Sequence, residues 1–392
     1  MAEDRDPIDE AVGLHADALA AVEEGRYDAA RVLADESLEL FLRESGPGHP
    51  DLANVLNCLA TIHTHQAKYP QAEACARRAV NIMRDLRAQI VDADIDRLYV
   101  QSLTALGNAL RALGRYADAA PVLDEAVTMA EAALGEDDED LVSALNSLGM
   151  LCKYDGRFDR GAALYARAIG MIERRLGPDH VSLASLLHNV GGLEHARGEY
   201  ARGEPPARRS VELRERALGP DHPAVAADVA ALAALVDGQG RHDEAEQMYR
   251  RALAVFERAF GPEHYEVAIT LNNLAGVRDA QGHTADAEAL YRRALRLKEA
   301  LLGPDHPDVA MTLNNLALLL ASTGRVDAAK TLYERALRTF ETALDPGHPK
   351  IRGCAANYAA LLRERGDATA ANAIESRLRG PISPPAASPS IR

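Results

Sequence analysis

Tryptophan is absent from this chain of 392 residues, and aromatic residues of all kinds make up only 4% of it. Apolar residues still reach 47%, so the core must be filled mainly by alanine and leucine. Lysine is also scarce, at 5 of the 44 basic residues, which reads as the codon usage of a GC-rich genome rather than as function. Positive charge is outweighed by 59 acidic residues, leaving a net charge of −15. That balance argues against nucleic acid or an anionic membrane as a partner of the whole molecule, while leaving room for a local basic patch. The four cysteines, Cys58, Cys75, Cys152 and Cys354, are scattered and form no CxxC pair, so neither structural zinc nor a disulfide framework is expected. No apolar run approaches the ~20 residues that span a bilayer. The opening "MAEDRDPIDEAV" lacks the apolar centre of a signal peptide. These absences predict a soluble protein of a reducing cytoplasm. No GxxxxGK[ST], GxSxG or GxGxxG motif is found, and "HTH" at His63 lacks HExxH spacing, so no cofactor, metal or catalytic centre is expected.

What the sequence does have is repetition, which outranks length as a guide to architecture. "LGPDHVSLA" at Leu176 returns as "LGPDHPAVA" at Leu218, "FGPEHYEVA" at Phe260 and "LGPDHPDVA" at Leu302, each step being 42 residues. "LGEDDEDLV" at Leu134 keeps the phase. So do seven glycines, Gly114, Gly156, Gly198, Gly240, Gly282, Gly324 and Gly366. Upstream, "GPGHP" at Gly46 fits only if five residues are inserted near "LRAQIVDADID", and Gly25 marks one further unit.

Both halves of a unit have helical periodicity. Val309, Leu313, Leu316, Ala317 and Leu320 fall on one face of a first helix, and Ala329, Tyr333, Ala336, Leu337 and Phe340 on one face of a second. Gly324 sits between them, where a left-handed residue would end the first helix, and Gly303-Pro304 separates successive units. Asp-His-Pro then restarts a helix with proline in the first turn, where a missing N–H costs nothing. Pro121 and Pro205 share one repeat position, which places them near the start of a second helix. Two such helices cannot bury their apolar faces alone, but nine pairs stacked in series can. The expected fold is an all-α superhelical solenoid with pairs at 8–43, 50–88, 97–133, 139–175, 181–217, 223–259, 265–301, 307–343 and 349–379. A Pro- and Ser-rich tail at 380–392 is expected to lie outside the solenoid as disordered chain.

The order of small and large positions, Leu313, Leu316, Ala317, Leu320, Gly324, Ala329, Tyr333 and Ala336 in the eighth unit, resembles a tetratricopeptide repeat. The 42-residue period with "LNNLA" and "GPDHPDVA" is similar to the long repeats of kinesin light chain and its bacterial relatives. The resemblance covers about residues 8–379. It implies that the first helix of each pair lines a concave face and that groove asparagines bind a peptide or protein partner.

Asparagine is a mediocre helix former, so its recurrence in mid-helix needs another cause. Asn57, Asn146, Asn272 and Asn314 share one repeat position; Asn189, Asn273, Asn315 and Asn357 share the next. A carboxamide offers both a donor and an acceptor, which suits an extended peptide backbone. It would equally suit bonds between neighbouring helices that hold the stack in register, and both roles stay open. Further along the same helix the aligned series is Thr64, Arg111, Lys153, His195, Asp237, Asp279 and Ala321. If it faces the groove, Arg111 and Lys153 make its N-terminal half basic, against an acidic C-terminal half.

His49, His180, His222, His264, His306 and His348 also recur in phase. They cannot share a metal: donor atoms around one zinc lie within about 4 Å of each other, whereas neighbouring helix axes are already about 8–10 Å apart. Their expected role is packing and hydrogen bonding at the start of a helix. Glu204, Glu246 and Glu288 recur on second helices and are expected on solvated faces. The overall expectation is a binding scaffold or adaptor that performs no chemistry, with a ligand-responsive regulatory sensor as the rival.

Overall fold

The computed structural model describes residues 6–66, 68–344 and 346–378; the tail expected at 380–392 falls outside them. The first three pairs are α1 (Pro7–Glu23) with α2 (Tyr27–Ser45), α3 (Pro50–His65) with α4 (Tyr69–Arg87), and α5 (Ala93–Ala112) with α6 (Tyr116–Ala133). The next three are α7 (Glu139–Asp155) with α8 (Phe158–Leu176), α9 (Leu183–Arg197) with α10 (Tyr200–Leu218), and α11 (Pro223–Gly238) with α12 (His242–Phe260). The last are α13 (Tyr265–Ala280) with α14 (Thr284–Leu302), α15 (Pro307–Ser322) with α16 (Val326–Ala343), and α17 (Pro349–Glu364) with α18 (Ala368–Leu378). The all-α expectation holds, and the nine pairs fall where the repeat places them to within a few residues. The largest shift is in the third pair, where α5 starts at Ala93 and runs for 20 residues. The inserted segment therefore lengthens the first helix at its N-terminus.

Each boundary has a local cause. The phased histidines are helix N-caps: the Nδ1 of His306 accepts the backbone N–H of Asp308 at 3.0 Å, and His49, His222, His264 and His348 do the same two residues ahead. His180 accepts from Ser182 at 3.3 Å, just ahead of α9. Where the histidine is missing, Asp92 and Asp138 replace it and cap α5 and α7 through their carboxylates. A cap of this kind is worth about 1 kcal/mol. The first helices end at glycines in the left-handed region, such as Gly198 at φ 83° and ψ 6°. The glycines after second helices are different: Gly303 has φ 85° and ψ 158°, an extended positive-φ conformation that is essentially closed to other residues. Pro121 and Pro205 lie deeper than the sequence places them, inside the second turns of α6 and α10, where each removes one intrahelical donor while the helix runs on.

Packing within a pair sets a small residue of the first helix against a large one of the second. A Cβ at Gly149 would stand 2.8 Å from the ring of Tyr165, which is fully buried, so only glycine lets that ring lie against α7. Between pairs, first helices touch the first helices of their neighbours, but Cα atoms of neighbouring second helices do not come within 8 Å. First helices therefore form the inner, concave wall and second helices splay on the outside.

The row of pairs also winds far enough for its parts to meet. His348, at the start of the ninth pair, packs on Gly114 of the third so closely that a Cβ there would stand 2.4 Å from its ring. The same imidazole lies 6.1 Å from the ring of Tyr116. Tyr69 of the second pair packs against the apolar core of the seventh to ninth pairs. No helix of the first four pairs comes within 8 Å, Cα to Cα, of a helix of the last three, so this seam is made outside helix–helix packing, by the His348 ring on the backbone of Gly114 and by side chains such as Tyr69.

Candidate functional site

The expected groove asparagines form a ladder across the inner wall. Asn357 donates to Asn314 at 3.1 Å, Asn314 to Asn315 at 3.2 Å, Asn315 to Asn272 at 3.3 Å, and Asn272 to Asn273 at 3.2 Å. Donor and acceptor alternate along this run, so each amide polarises the next. It ties three successive first helices together, and Asn272 is left only 8% exposed. Further up the stack Asn189 donates to Asn146 at 2.7 Å. Each of these carboxamides engages a neighbouring amide, and Asn272, Asn314 and Asn315 do so through both their N–H and their carbonyl groups.

The N-terminal part of the wall is built differently. Asn57 and Asn108 give their amide N–H groups to Ser102 at 3.0 Å and Ser147 at 3.1 Å. Their carbonyl oxygens are buried with no hydrogen-bond partner in the protein, and so is Nδ1 of His15. All three residues line a cavity of about 400 Å³ on the inner face of the first four pairs, together with Leu19, Val22, Asn54 and Gln101. Buried acceptors without donors are costly, at about 1–3 kcal/mol each, so this wall is stored hydrogen-bonding capacity. Sequence reasoning placed Asn57 in its column but missed Asn108 and Gln101, because neither shares a repeat position with the two asparagine columns. Their seven-residue spacing on one helical face, with Thr104 between them, was the available signal.

Arg111 and Lys153 come together around one ring. The guanidinium carbon of Arg111 lies 5.3 Å, and the Nζ of Lys153 5.5 Å, from the centroid of Tyr154. The acidic half of the series is less available. Asp237 is bound by Nδ1 of His242 at 2.7 Å, and burial pushes the Asp279 carboxyl above its usual value. Burial likewise lowers the His195 imidazole, which stands edge-on to Tyr200.

The recurrent glutamates correct the sequence reading, since they are not solvated. Glu204, Glu246 and Glu288 have side chains only 14%, 9% and 13% exposed. Glu204 pairs with Arg241 at 2.8 Å, Glu288 with Arg325 at 2.7 Å and Glu246 with Arg278 at 3.1 Å. For Glu204 and Glu288 the arginine that follows the turn glycine of the next unit reaches back to cover the carboxylate, and for Glu246 an arginine of the next unit's first helix does so, contacts between units that helical periodicity does not encode. Burial works against the charged form of Glu204, yet hydrogen bonds from Gln239, Arg208 and Arg241 hold its carboxyl at about 2. Locked ion pairs of this kind brace the outer edge and leave no free acid or base. Among the described residues no group of histidine, cysteine or carboxylate side chains is arranged to hold a metal ion, and no helix is long and apolar enough to cross a membrane. Cys58, Cys152 and Cys354 are buried as free thiols.

Comparison with known proteins agrees with this architecture. The tetratricopeptide repeat family profile matches residues 9–85, 98–173, 143–202, 182–258, 227–300, 286–342 and 308–377. No functionally curated protein shows significant sequence similarity. Among solved structures, a Rap protein complexed with the competence and sporulation factor is similar over 84% of this chain and 97% of its own, at 14% identity and a TM-score of 0.55. BtubC (BKLC) from P. vanneervenii matches 60% of this chain and 97% of its own at 26% identity, with a TM-score of 0.47. A putative kinesin light chain from Podospora anserina with nearly identical repeats covers 51% of this chain and 95% of its own at 20% identity and a TM-score of 0.42. With matches running over nearly all of its helical pairs, the chain belongs to the tetratricopeptide repeat family, and its 42-residue units resemble the long form seen in kinesin light chain-like proteins.

Proposed function

We propose that this protein is a scaffold or adaptor that takes an extended peptide segment of a partner protein into its concave groove and performs no chemical step. The observation that carries the reading is the carboxamide-lined cavity of the N-terminal pairs, where Asn54, Asn57, Gln101 and Asn108 meet and the Oδ1 atoms of Asn57 and Asn108 lie unpaired beneath the surface, to be reached by a ligand once their amides rotate. A peptide backbone supplies N–H donors at regular spacing, which is what such a wall lacks. Leu19 and Val22 offer apolar surface beside them for one ligand side chain. Arg111 and Lys153, further along the wall, would favour an acidic residue downstream. The ladder of Asn146, Asn189, Asn272, Asn273, Asn314 and Asn315 is assigned to register, with its spare N–H groups as secondary contacts.

Three such hydrogen bonds at about 0.5–1.5 kcal/mol each are roughly cancelled by an ordering cost of about 2–5 kcal/mol, so they set orientation, and the roughly 8 kcal/mol of a micromolar complex must come from side-chain contacts along the groove. The test is selection of a random peptide library on the full chain, followed by titration of enriched peptides. Asn57→Ala with Asn108→Ala should weaken them about tenfold, while Asn273→Ala should not. No enrichment over an unrelated helical protein, or unchanged affinity in the double variant, refutes the reading.

A second reading, a regulator whose curvature changes when ligand binds, is favoured by the seam between the third and ninth pairs, where no helix of one packs on a helix of the other. Such a contact can open without unpacking any helix. It requires a change in radius of gyration by solution scattering on addition of the selected peptide.

A further inference from the structure

Most arginines of this acidic chain are ion-paired, several of them twice, yet three cations around the seam are not. Among the described residues Arg111, Lys153 and Arg352 have no carboxylate within ion-pair distance, and Nε of Arg111 is buried without any hydrogen-bond partner. They face one another through aromatic rings. Arg111 and Lys153 flank Tyr154, which stacks on Tyr116 at 6.1 Å. His348 of the ninth pair lies against Tyr116, and two and four residues further on Lys350 comes within electrostatic reach of Tyr154 and Arg352 within reach of Tyr116.

The acids nearby are already engaged. Asp155 is held by Arg157, and Asp308 accepts from the hydroxyl of Tyr265 and lies 3.7 Å from Lys350. Lys298, beside Asp308, is buried and bonded to Thr312 at 3.0 Å. The local field is positive enough to act on a phenol: burial opposes it, but Lys153, Arg111 and Lys350 together draw the Tyr154 hydroxyl below its usual value. Among the described residues, with Asp155 neutralised by Arg157, Arg111, Lys153, Lys350 and Arg352 outnumber the carboxylate of Asp308 and leave a positive surplus.

We propose that this seam is a binding site for a phosphate dianion, free or as a phosphomonoester, held by Arg111 and Lys153 from one side and by Lys350 and Arg352 from the other. Guanidinium and ammonium donors converging from two sides match the several acceptor oxygens of a tetrahedral dianion. The two sides are separated by about two hundred residues of sequence and are joined in space without helix–helix packing between them. An occupied site therefore fastens the superhelical turn, and an empty one leaves like charges facing each other across it. The site lies apart from the cavity of Asn57 and Asn108, so the proposal does not depend on peptide binding.

The test uses the full chain, inorganic phosphate and O-phosphoserine as probes, and sodium chloride at matched ionic strength as control. Expected results are saturable binding by calorimetry, a rise in melting temperature beyond that of chloride, and a smaller radius of gyration by solution scattering. Binding of both probes places a phosphomonoester in the site, and binding of inorganic phosphate alone restricts it to the free ion; either supports the proposal. Arg352→Gln, at an exposed position, and Lys153→Gln should each weaken phosphate about tenfold. Asn57→Ala with Asn108→Ala should leave it unchanged. Phosphate acting no differently from chloride, or binding equally well to Arg352→Gln and Lys153→Gln, overturns the proposal. Should one variant lose its helical circular dichroism, the other decides alone.

Discussion

Acidification should loosen the ninth pair through His348, whose imidazole must stay neutral to do its work. Its Nδ1 accepts the N–H of Lys350 at 3.0 Å, and a protonated ring has no lone pair to offer there. The ring is 7% exposed and packs on Gly114. Burial foremost, then the charges of Lys350 and Arg352, push its pKa down from 6.5 to about 4. Above pH 6.5 neither the folded nor the unfolded form carries the proton, and the stabilisation is fully present. As pH falls from 6.5 towards 4, the unfolded chain takes up a proton that the folded chain refuses, so stability declines through that window. At pH 5 the loss works out at about 2 kcal/mol for this one side chain. The control is His348→Asn, which keeps an acceptor at the cap but does not titrate there. Urea unfolding followed by circular dichroism at about pH 7.5 and pH 5 gives four free energies. The wild type should lose about 2 kcal/mol more than the variant between the two conditions, whatever the other titrating groups contribute to both. Equal losses would show that His348 protonates freely in the folded chain, and the account of the cap and of the seam around it would fail.

The remaining predictions concern stability alone and can be read by thermal melts. Gly198→Asn should be nearly neutral and Gly198→Ala should cost about 1 kcal/mol, because a left-handed residue is tolerable for asparagine. At Gly303 both substitutions should cost about 1–3 kcal/mol, since positive φ with extended ψ is open to neither, and equal behaviour at the two glycines would refute the distinction. Asn315→Ala should destabilise by about 1–3 kcal/mol by leaving Asn272 and Asn314 unpartnered, without weakening peptides selected on the N-terminal cavity. Asp228 is 1% exposed and accepts from Ser210 at 2.7 Å, with His188 and Arg214 beside it. Its replacement by alanine should cost about 3 kcal/mol, and a loss below 1 kcal/mol would mean that the fifth and sixth pairs are not joined through it.

Much of the fold was legible because its determinants are local. Helix faces follow from residues three and four apart, helix ends from a glycine that can take positive φ, and helix starts from a histidine or aspartate two residues ahead of the N–H it accepts. A 42-residue period repeats those cues often enough to fix eighteen helices and their order. The site was legible only in kind. Asn314 and Asn315 announce an amide-rich inner wall, but their choice between ligand and neighbour depends on the rotation between pairs. Glu204 and Glu246 read as surface charges because the arginines that cover them come from the next unit.

What the amino-acid sequence determined by itself is the unit: two helices, their caps, their turn and the faces they bury. Tertiary structure alone decided how the units add up. A small rotation per pair, summed over six pairs, brings His348 to Gly114, and the stacking of the second and third pairs sets Asn57 and Asn108 around one cavity with their carbonyl oxygens unpaired. Neither result follows from any stretch of sequence, because an accumulated angle is a property of the whole stack.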